Sequence, residues 1–242
     1  MQMMKVGYEL KDTAKYMTGS EETEPATGWN YESTLNNLVQ IPGMNGDQLG
    51  AKFVNYFSGT GITLSTVDLS EFNYLAAVLS DLGYALIKPE IKDYIQQACQ
   101  QVEKFADPDF VDLYHLAQLF ETTIPDNEVK NRALAVMYEV YNVVTSEKHD
   151  YINPDAHGLS IYVPKYPYDP NYNDLLISED TIWNELLTWY HGGASGAPTK
   201  PVITGPTKGG ANVEHTFTFH SVDPEGDDIL YCVEWRDFTS EE

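Results

Sequence analysis

The sequence predicts an α/β fold, with mainly parallel strands flanked by helices, followed by a small all-β unit. Three observations carry that expectation. Apolar residues recur at helical spacing in several segments, and β-branched runs stand between them. The segment "GGASGAPTKP" has the composition of a linker. Beyond it, Val213, His215, Phe217 and Phe219 alternate with Glu214, Thr216, Thr218 and His220, which is the period of a strand. With 242 residues, 42% of them hydrophobic, the chain suffices for one sizeable core and part of a second unit.

The elements follow in order. Met3, Val6, Leu10, Ala14 and Met17 mark an amphipathic helix, closed by Gly19 and the acidic residues Glu21, Glu22 and Glu24, with Pro25 preventing its resumption. Helices are expected over 31–39 and 47–57. "GTGITLSTVDL" reads as a turn and then a strand. Leu75, Val78, Leu79, Leu82 and Leu86 line one face of the next helix, with Asp68 or Ser70 as cap. Pro89 suits the first turn of a helix over 89–105. "PDFVDLYHLAQLF" reads as a further helix, and "PDNEVKNRALAVMYEVYNVV" as the longest, capped by Asp126 or Asn127. "HGLSIYVP" is a short apolar strand, and "EDTIWNELLTWYHGG" a closing helix stopped by Gly192 and Gly193. The domain boundaries are therefore expected at 1–193, a linker at 194–200 and a β unit at 201–242. An Ig-like sandwich needs roughly 80–100 residues, so this β unit reads as truncated.

Charge and cysteine usage narrow the function. Lys and Arg number 14 against 37 Asp and Glu, a formal net charge of -23. A nucleic-acid partner would be repelled. The balance fits an extracellular protein, or one that attracts cations or basic substrates. No apolar run is long enough for a membrane span. Cys99 and Cys232 stand far apart without neighbouring His or Cys, so neither a metal motif nor a disulfide is expected. Cys99 borders the stripe of Ile91, Tyr94, Ile95, Ala98, Val102 and Phe105 and reads as a packed thiol. His149 and His157 read as loop histidines with local hydrogen bonds.

The opening stretch carries a family resemblance. Gly7-Tyr8-Glu9-Leu10, Ser20-Glu21-Glu22 and Gly28-Trp29 are similar, in order, to the helix, acidic loop and Gly-Trp motif that follow the catalytic cysteine of clostripain-like cysteine peptidases. "HGLSIYVP", "TIWNELLTWY" and "DFVDLYHLAQLF" resemble later segments of the same family, so the likeness spans Met1 to about Tyr190. It implies a caspase-like parallel sheet with flanking helices, incomplete here, and a secreted or cell-surface endopeptidase. Aligned so, Met1 falls two positions after the nucleophile, and the general-base His lies further upstream. The Cys-His dyad is thus expected outside this chain, which is expected to be inactive alone and to need the missing N-terminal half of the peptidase domain. The tail resembles PKD-like or other Ig-like modules, with Glu234-Trp235-Arg236-Asp237 where such modules often carry Asp-Trp-Gly-Asp.

No catalytic residue is assigned within the chain. The substrate-binding candidates, implied by the resemblance, are Glu21, Glu22, Glu24, Thr27, Gly28 and Trp29. Carboxylates there suit a Lys or Arg side chain at P1 of a peptide substrate, or a calcium ion. Where the family often has Asp before Gly-Trp, this chain has Thr27, which removes a charge from the expected pocket. Two other readings stand beside the peptidase: a non-catalytic binding or adhesion module of a surface protein, and an inactive peptidase homologue.

Overall fold

The first helix is shorter than its apolar stripe. In the computed structural model, which describes residues 2–165, 168–192, 199–208, 213–222, 229 and 231, α1 spans Met4–Leu10. The carbonyl of Leu10 accepts the N–H groups of Thr13 and Ala14 (2.9 and 3.0 Å), so the chain turns there. Tyr16–Gly19 then runs as strand β1. Helical and strand periods are hard to separate over so few residues, and Met17 serves the sheet instead of a helix: it pairs with Val67 of the fully or largely buried strand β2, Thr63–Asp68.

Two helices separate β1 from β2. These are α2, Tyr31–Gln40, and α3, Gly46–Tyr56, whose N-terminus carries a complete capping box of Asn45 and Gln48. After β2, Asp68 caps a single 3₁₀ turn by accepting from Ser70 N. Helix α4, Phe72–Leu86, follows. Its Leu75, Leu79, Leu82 and Leu86 are at most 1% exposed, each worth about 1.5–3 kcal/mol of burial. Helix α5, Lys92–Gln101, is preceded by a 3₁₀ turn opening at Pro89. The segment 108–120 divides into strand β3, Phe110–Asp112, and helix α6, Leu113–Thr123, with Asp112 as N-cap. Helix α7, Asn127–Val143, is capped by Asp126, which also pairs with Lys88 at 2.9 Å. It runs directly into strand β4, Val144–His149. Strand β5 is Ser160–Tyr162, and α8 (Leu176–Asp180) and α9 (Trp183–Tyr190) close the segment. The Trp183 indole N–H donates to the Tyr162 carbonyl at 2.8 Å, fastening α9 to β5.

The expected parallel pairing is not what these strands do. The order β1-β2-β4 is antiparallel throughout, as is β3-β5. Among the described residues, parallel pairing occurs only at a bridge between Met3 and Ser160. The rule that a helix between strands implies parallel neighbours holds when a single crossover joins them. Here β2 and β4 are separated by four helices, α4 to α7, and a strand of the other sheet, so chain order does not dictate direction. What survives is a mixed α/β architecture with small sheets.

The chain divides into two compact units, Met1–Gly193 and Ala194–Glu242. The described part of the second is an antiparallel pair, β6 (Val202–Thr204) and β7 (Thr218–His220), with Val202 opposite His220. The Thr199 and Ser221 hydroxyls meet at 3.1 Å beside it. The expected turn "DPEGDD" lies outside the described residues, as does all of "ILYCVEW" except Ile229 and Tyr231. Nothing here establishes an Ig-like sandwich.

Candidate functional site

The acidic loop is anchored from beneath by one hydroxyl. Thr63, at the start of β2, accepts the N–H groups of both Glu21 and Glu22 at 3.0 Å and meets Ser20 Oγ at 3.0 Å. Ser20 also accepts the Gln2 N–H at 2.7 Å, while Gln2 O accepts from Ser160 N at 3.0 Å. The first residues of the chain are therefore held between the acidic loop and β5.

The loop does not present its carboxylates together. Glu21 turns inward and is only 2% exposed. Its Oε2 accepts the Gly158 N–H at 2.9 Å. Burial first, and then the neighbouring negative charge of Asp112, holds its carboxyl well above the usual carboxylate range. Asp112 itself is fully buried. It accepts His115 N (2.7 Å) as the α6 cap and His157 N (2.6 Å), and its Oδ1 lies 3.2 Å from His157 Nδ1. Of these two neighbouring buried carboxyls, Glu21 has the fewer N–H donors, one against two backbone N–H groups on Asp112, so less of its negative charge is offset. Glu21 Oε1 has no partner as an acceptor, but once protonated it becomes a donor toward Asp112.

Glu22 is half-buried. Its Oε1 accepts Thr23 N (2.6 Å), Thr23 Oγ1 (2.9 Å) and Ala106 N (3.2 Å), tying the loop to the segment before β3. Glu24, Thr27 and Gly28 are exposed. Gly28 closes a turn on Pro25 O at 2.9 Å with φ of 67°, a left-handed conformation suited to glycine. Trp29 lies against Phe53, ring centroids 5.0 Å apart, on the cluster of Val54, Phe57, Ile62 and Leu64. Of the six candidates, then, Glu24, Thr27 and Gly28 lie on the open side of the loop, while Glu21 and Trp29 fasten its two ends. Among the described residues, no group of three or more His, Cys, Asp or Glu is placed to hold a metal ion.

His157, expected to be a loop histidine with local hydrogen bonds, also bonds Asp112, 45 positions away, and the residues gathered around it were not foreseen as a group. The His157 ring stacks on Tyr114, centroids 4.3 Å apart, and its Nδ1 also lies 2.9 Å from Asp155 O. Burial opposes its protonation most, but the Asp112 carboxylate, the Asp155 carbonyl and Glu147 together outweigh it and raise its pKa above the usual histidine value. His157, Tyr114, Val140, Tyr141, Val144 and Glu147 line a cavity of about 290 Å³. An imidazole, aromatic rings and a carboxylate around an open space suit a cationic or polar side chain. The one local signal in the sequence was "HGLS", a histidine before a glycine at the mouth of a strand.

Among the described residues, this corner holds no cysteine. Cys99 lies instead in the wall of a groove formed by α5, β3 and the end of β5. Burial pushes its thiol up to about 11, against the opposing pull of Lys104 and the Tyr190 hydroxyl. No histidine is among the groups that set it, so the thiol stays protonated at neutral pH. Cys232 lies outside the described residues.

Comparison with known proteins gives a consistent picture. The family model described as the clostripain family, peptidase C11, matches residues 1–190. No curated protein matches significantly. A clostripain from Bacteroides thetaiotaomicron in complex with a peptide inhibitor is similar in structure, with a TM-score of 0.56 at 16% identity, covering 75% of this chain and 82% of that one. A secreted C11 cysteine protease from the same organism, in complex with an irreversible peptide inhibitor, has a TM-score of 0.54 at 16% identity and covers 76% and 57%. An inactive zymogen C11 protease from Parabacteroides distasonis has a TM-score of 0.57 at 19% identity and covers 75% and 56%. The match thus spans little more than half the length of the last two.

Proposed function

The chain belongs to the clostripain family of cysteine peptidases over residues 1–190, and from that premise we propose that it is part of a secreted endopeptidase whose thiol-imidazole pair is supplied from outside these 242 residues. The observation that carries the reading is the family match across the whole of the first unit. Secretion is proposed by analogy with a relative described as secreted. The need for an outside nucleophile rests on chemistry: peptide-bond hydrolysis by cysteine requires a thiolate and a base within hydrogen-bond reach, and Cys99 is a half-buried thiol with Tyr190 and Lys104, not a histidine, among the groups that set its pKa.

In this reading the open side of the acidic loop borders the pocket for the P1 side chain. Glu21 is buried, bonds Gly158 N–H and turns away from the open side of the loop, so it holds the loop in place and does not face the substrate. Glu22 spends one carboxylate oxygen on the backbone of Thr23 and Ala106. Glu24 and the second oxygen of Glu22 remain for a guanidinium or ammonium, and Thr27 adds no charge. The preference for basic P1 is accordingly weak, and a calcium ion would compete for the same two carboxylates.

Labelling of the full-length protein with a thiol-directed peptide inhibitor tests this. The label is expected on a cysteine other than Cys99 and Cys232, and the 242-residue chain alone is expected to take none. Thr27→Asp in the full-length enzyme should raise the kcat/KM ratio of Arg over neutral P1 substrates by about five- to a hundredfold, the worth of one charge-assisted hydrogen bond. Turnover by the chain alone, abolished by Cys99→Ala, would overturn the reading. An unchanged P1 ratio in Thr27→Asp would remove Thr27 from the pocket.

A further inference from the structure

A larger cavity lies near the C-terminal end of β5. Its volume is about 600 Å³, within the range of ligand sites. The floor is apolar, made by Val111, Val163 and Pro164, and the walls carry Gln96, Gln100, Lys104, Lys165 and Tyr190. A second cavity of about 300 Å³ continues from it, sharing Gln96, Lys165 and Tyr190 and adding Lys92. Glu21 meets Gly158, just before β5, whereas Val163 and Pro164 follow it; the segment from Lys104 to Pro108 is common to both regions, since its Ala106 N–H donates to Glu22 while Lys104 and Pro108 line the groove.

Charge is what sets the groove apart. In a chain of net charge -23 with 14 basic residues, three lysines border this one continuous opening. Lys104 is exposed and held by the Cys99 carbonyl at 2.5 Å, so its ammonium is positioned without being neutralised. Lys165 is exposed and has no ion-pair partner among the described residues. Lys92 lies over the Trp189 ring, 5.3 Å from its centroid, with its ammonium 3.4 Å from the Trp189 carbonyl. Asp93 lines the smaller cavity, and Asp107 and Asp109 flank Pro108 in the larger one, with Asp109 Oδ1 accepting the Lys165 backbone N–H at 3.2 Å, so the basic character of the groove lies in the lysine side chains that reach into it. Gln96 and Gln100 are exposed, with side-chain amides free to bond a guest's backbone.

We propose that this groove is a docking site for a short acidic peptide, its carboxylates on Lys104 and Lys165 and an apolar side chain between them on Val111, Val163 and Pro164. Cations beside the apolar surface of Val111, Val163 and Pro164 match a chain carrying both acidic and apolar side chains, whereas a compact inorganic anion would leave that apolar surface unused. The inference does not depend on the peptidase reading. Within that reading, the groove is an exosite that favours protein substrates with an acidic stretch distant from the scissile bond.

The test is fluorescence polarisation of the 242-residue chain with a labelled hexapeptide of alternating Glu and Leu at moderate salt. Binding is expected for this peptide and not for its Lys-Leu counterpart. Lys104→Glu and Lys165→Glu should each weaken it roughly fivefold or more, since each reversal removes an attraction and adds a repulsion. Both variants should keep the wild-type melting temperature, because neither lysine holds a buried partner. Equal binding by wild type and both variants would overturn the proposal. So would equal binding of the Lys-Leu peptide, or full displacement of the Glu-Leu peptide by millimolar inorganic phosphate, which would reduce the groove to a simple anion site.

Discussion

Glu21 is legible in the sequence as an acid in an acidic loop, but its environment is not. Nothing in "GSEETEP" distinguishes the glutamate that turns inward from those that face water, because the distinction is made by Gly158 and Asp112, 137 and 91 positions away. The physical consequence is a pH dependence of definite sign. Unfolded, this carboxyl titrates near 4.3; folded, burial and Asp112 keep it protonated to much higher pH. Its stabilising contribution is fully present below the unfolded value and is lost as pH rises toward the folded one, because over that range the native state binds the extra proton. His157 adds the same sign, since its folded pKa is raised and its contribution is lost as pH rises through that value. Glu21→Gln keeps an acceptor for Gly158 and a donor for Asp112 but does not titrate. It should therefore fold as well as wild type at pH 5, surpass it at pH 8, and show a shallower decline of melting temperature between them. Glu21→Ala strands the Gly158 N–H and should cost about 1–3 kcal/mol at either pH. A Glu21→Gln variant that melts well below wild type at pH 8 would show that the residue is ionised in the native state.

At the scale of elements, strong periodicity was readable and short strands were not. The leucine face of α4, the Asp126 cap of α7 and the strand in "HGLSIYVP" all follow from local pattern, because each depends on residues within a turn or two of one another. β1 was hidden because Ala14 and Met17 continue the stripe of α1. β4, "VTSEKH", was hidden because it is mostly polar and half-exposed, and because Val144 extends the apolar run of α7. The direction of pairing was the larger loss, since it is decided across the fold by which edges are free. Gly158 joins these pieces. Its N–H goes to Glu21, its carbonyl accepts Ser65 Oγ of β2, and its φ is 93°. A Cβ there would stand 2.7 Å from the Ser65 Cβ and 3.0 Å from Val144 Cγ1. Left-handed backbone costs a non-glycine roughly 1–2 kcal/mol and overpacking about 1–3 more. Gly158→Ala should thus destabilise the first unit by about 2–5 kcal/mol in urea denaturation. A loss below about 1 kcal/mol would mean that β2, β4 and the loop before β5 are not in such close contact.

On the scale of the whole molecule, the acidic balance was plain from composition, whereas the cluster of lysines was not. Lys92, Lys104 and Lys165 are spread over more than seventy positions and meet only because α5 packs beside the β3-β5 pair. These two facts make salt act in opposite directions. A net charge of -23 repels itself and weakens the compact state. Raising ionic strength from about 0.1 to 1 M shortens the screening length from roughly 10 to 3 Å, which relieves that repulsion and should raise the melting temperature. Over the same range, the long-range repulsion of an acidic peptide by the distant carboxylates is already largely screened at the lower salt. What remains to be lost is the nearby attraction of the groove lysines. Binding of the Glu-Leu peptide should therefore weaken while the protein itself becomes harder to melt. If affinity instead rises with salt alongside the melting temperature, the contact is apolar, the lysines contribute nothing to it, and the acidic guest assigned to the groove is the wrong one.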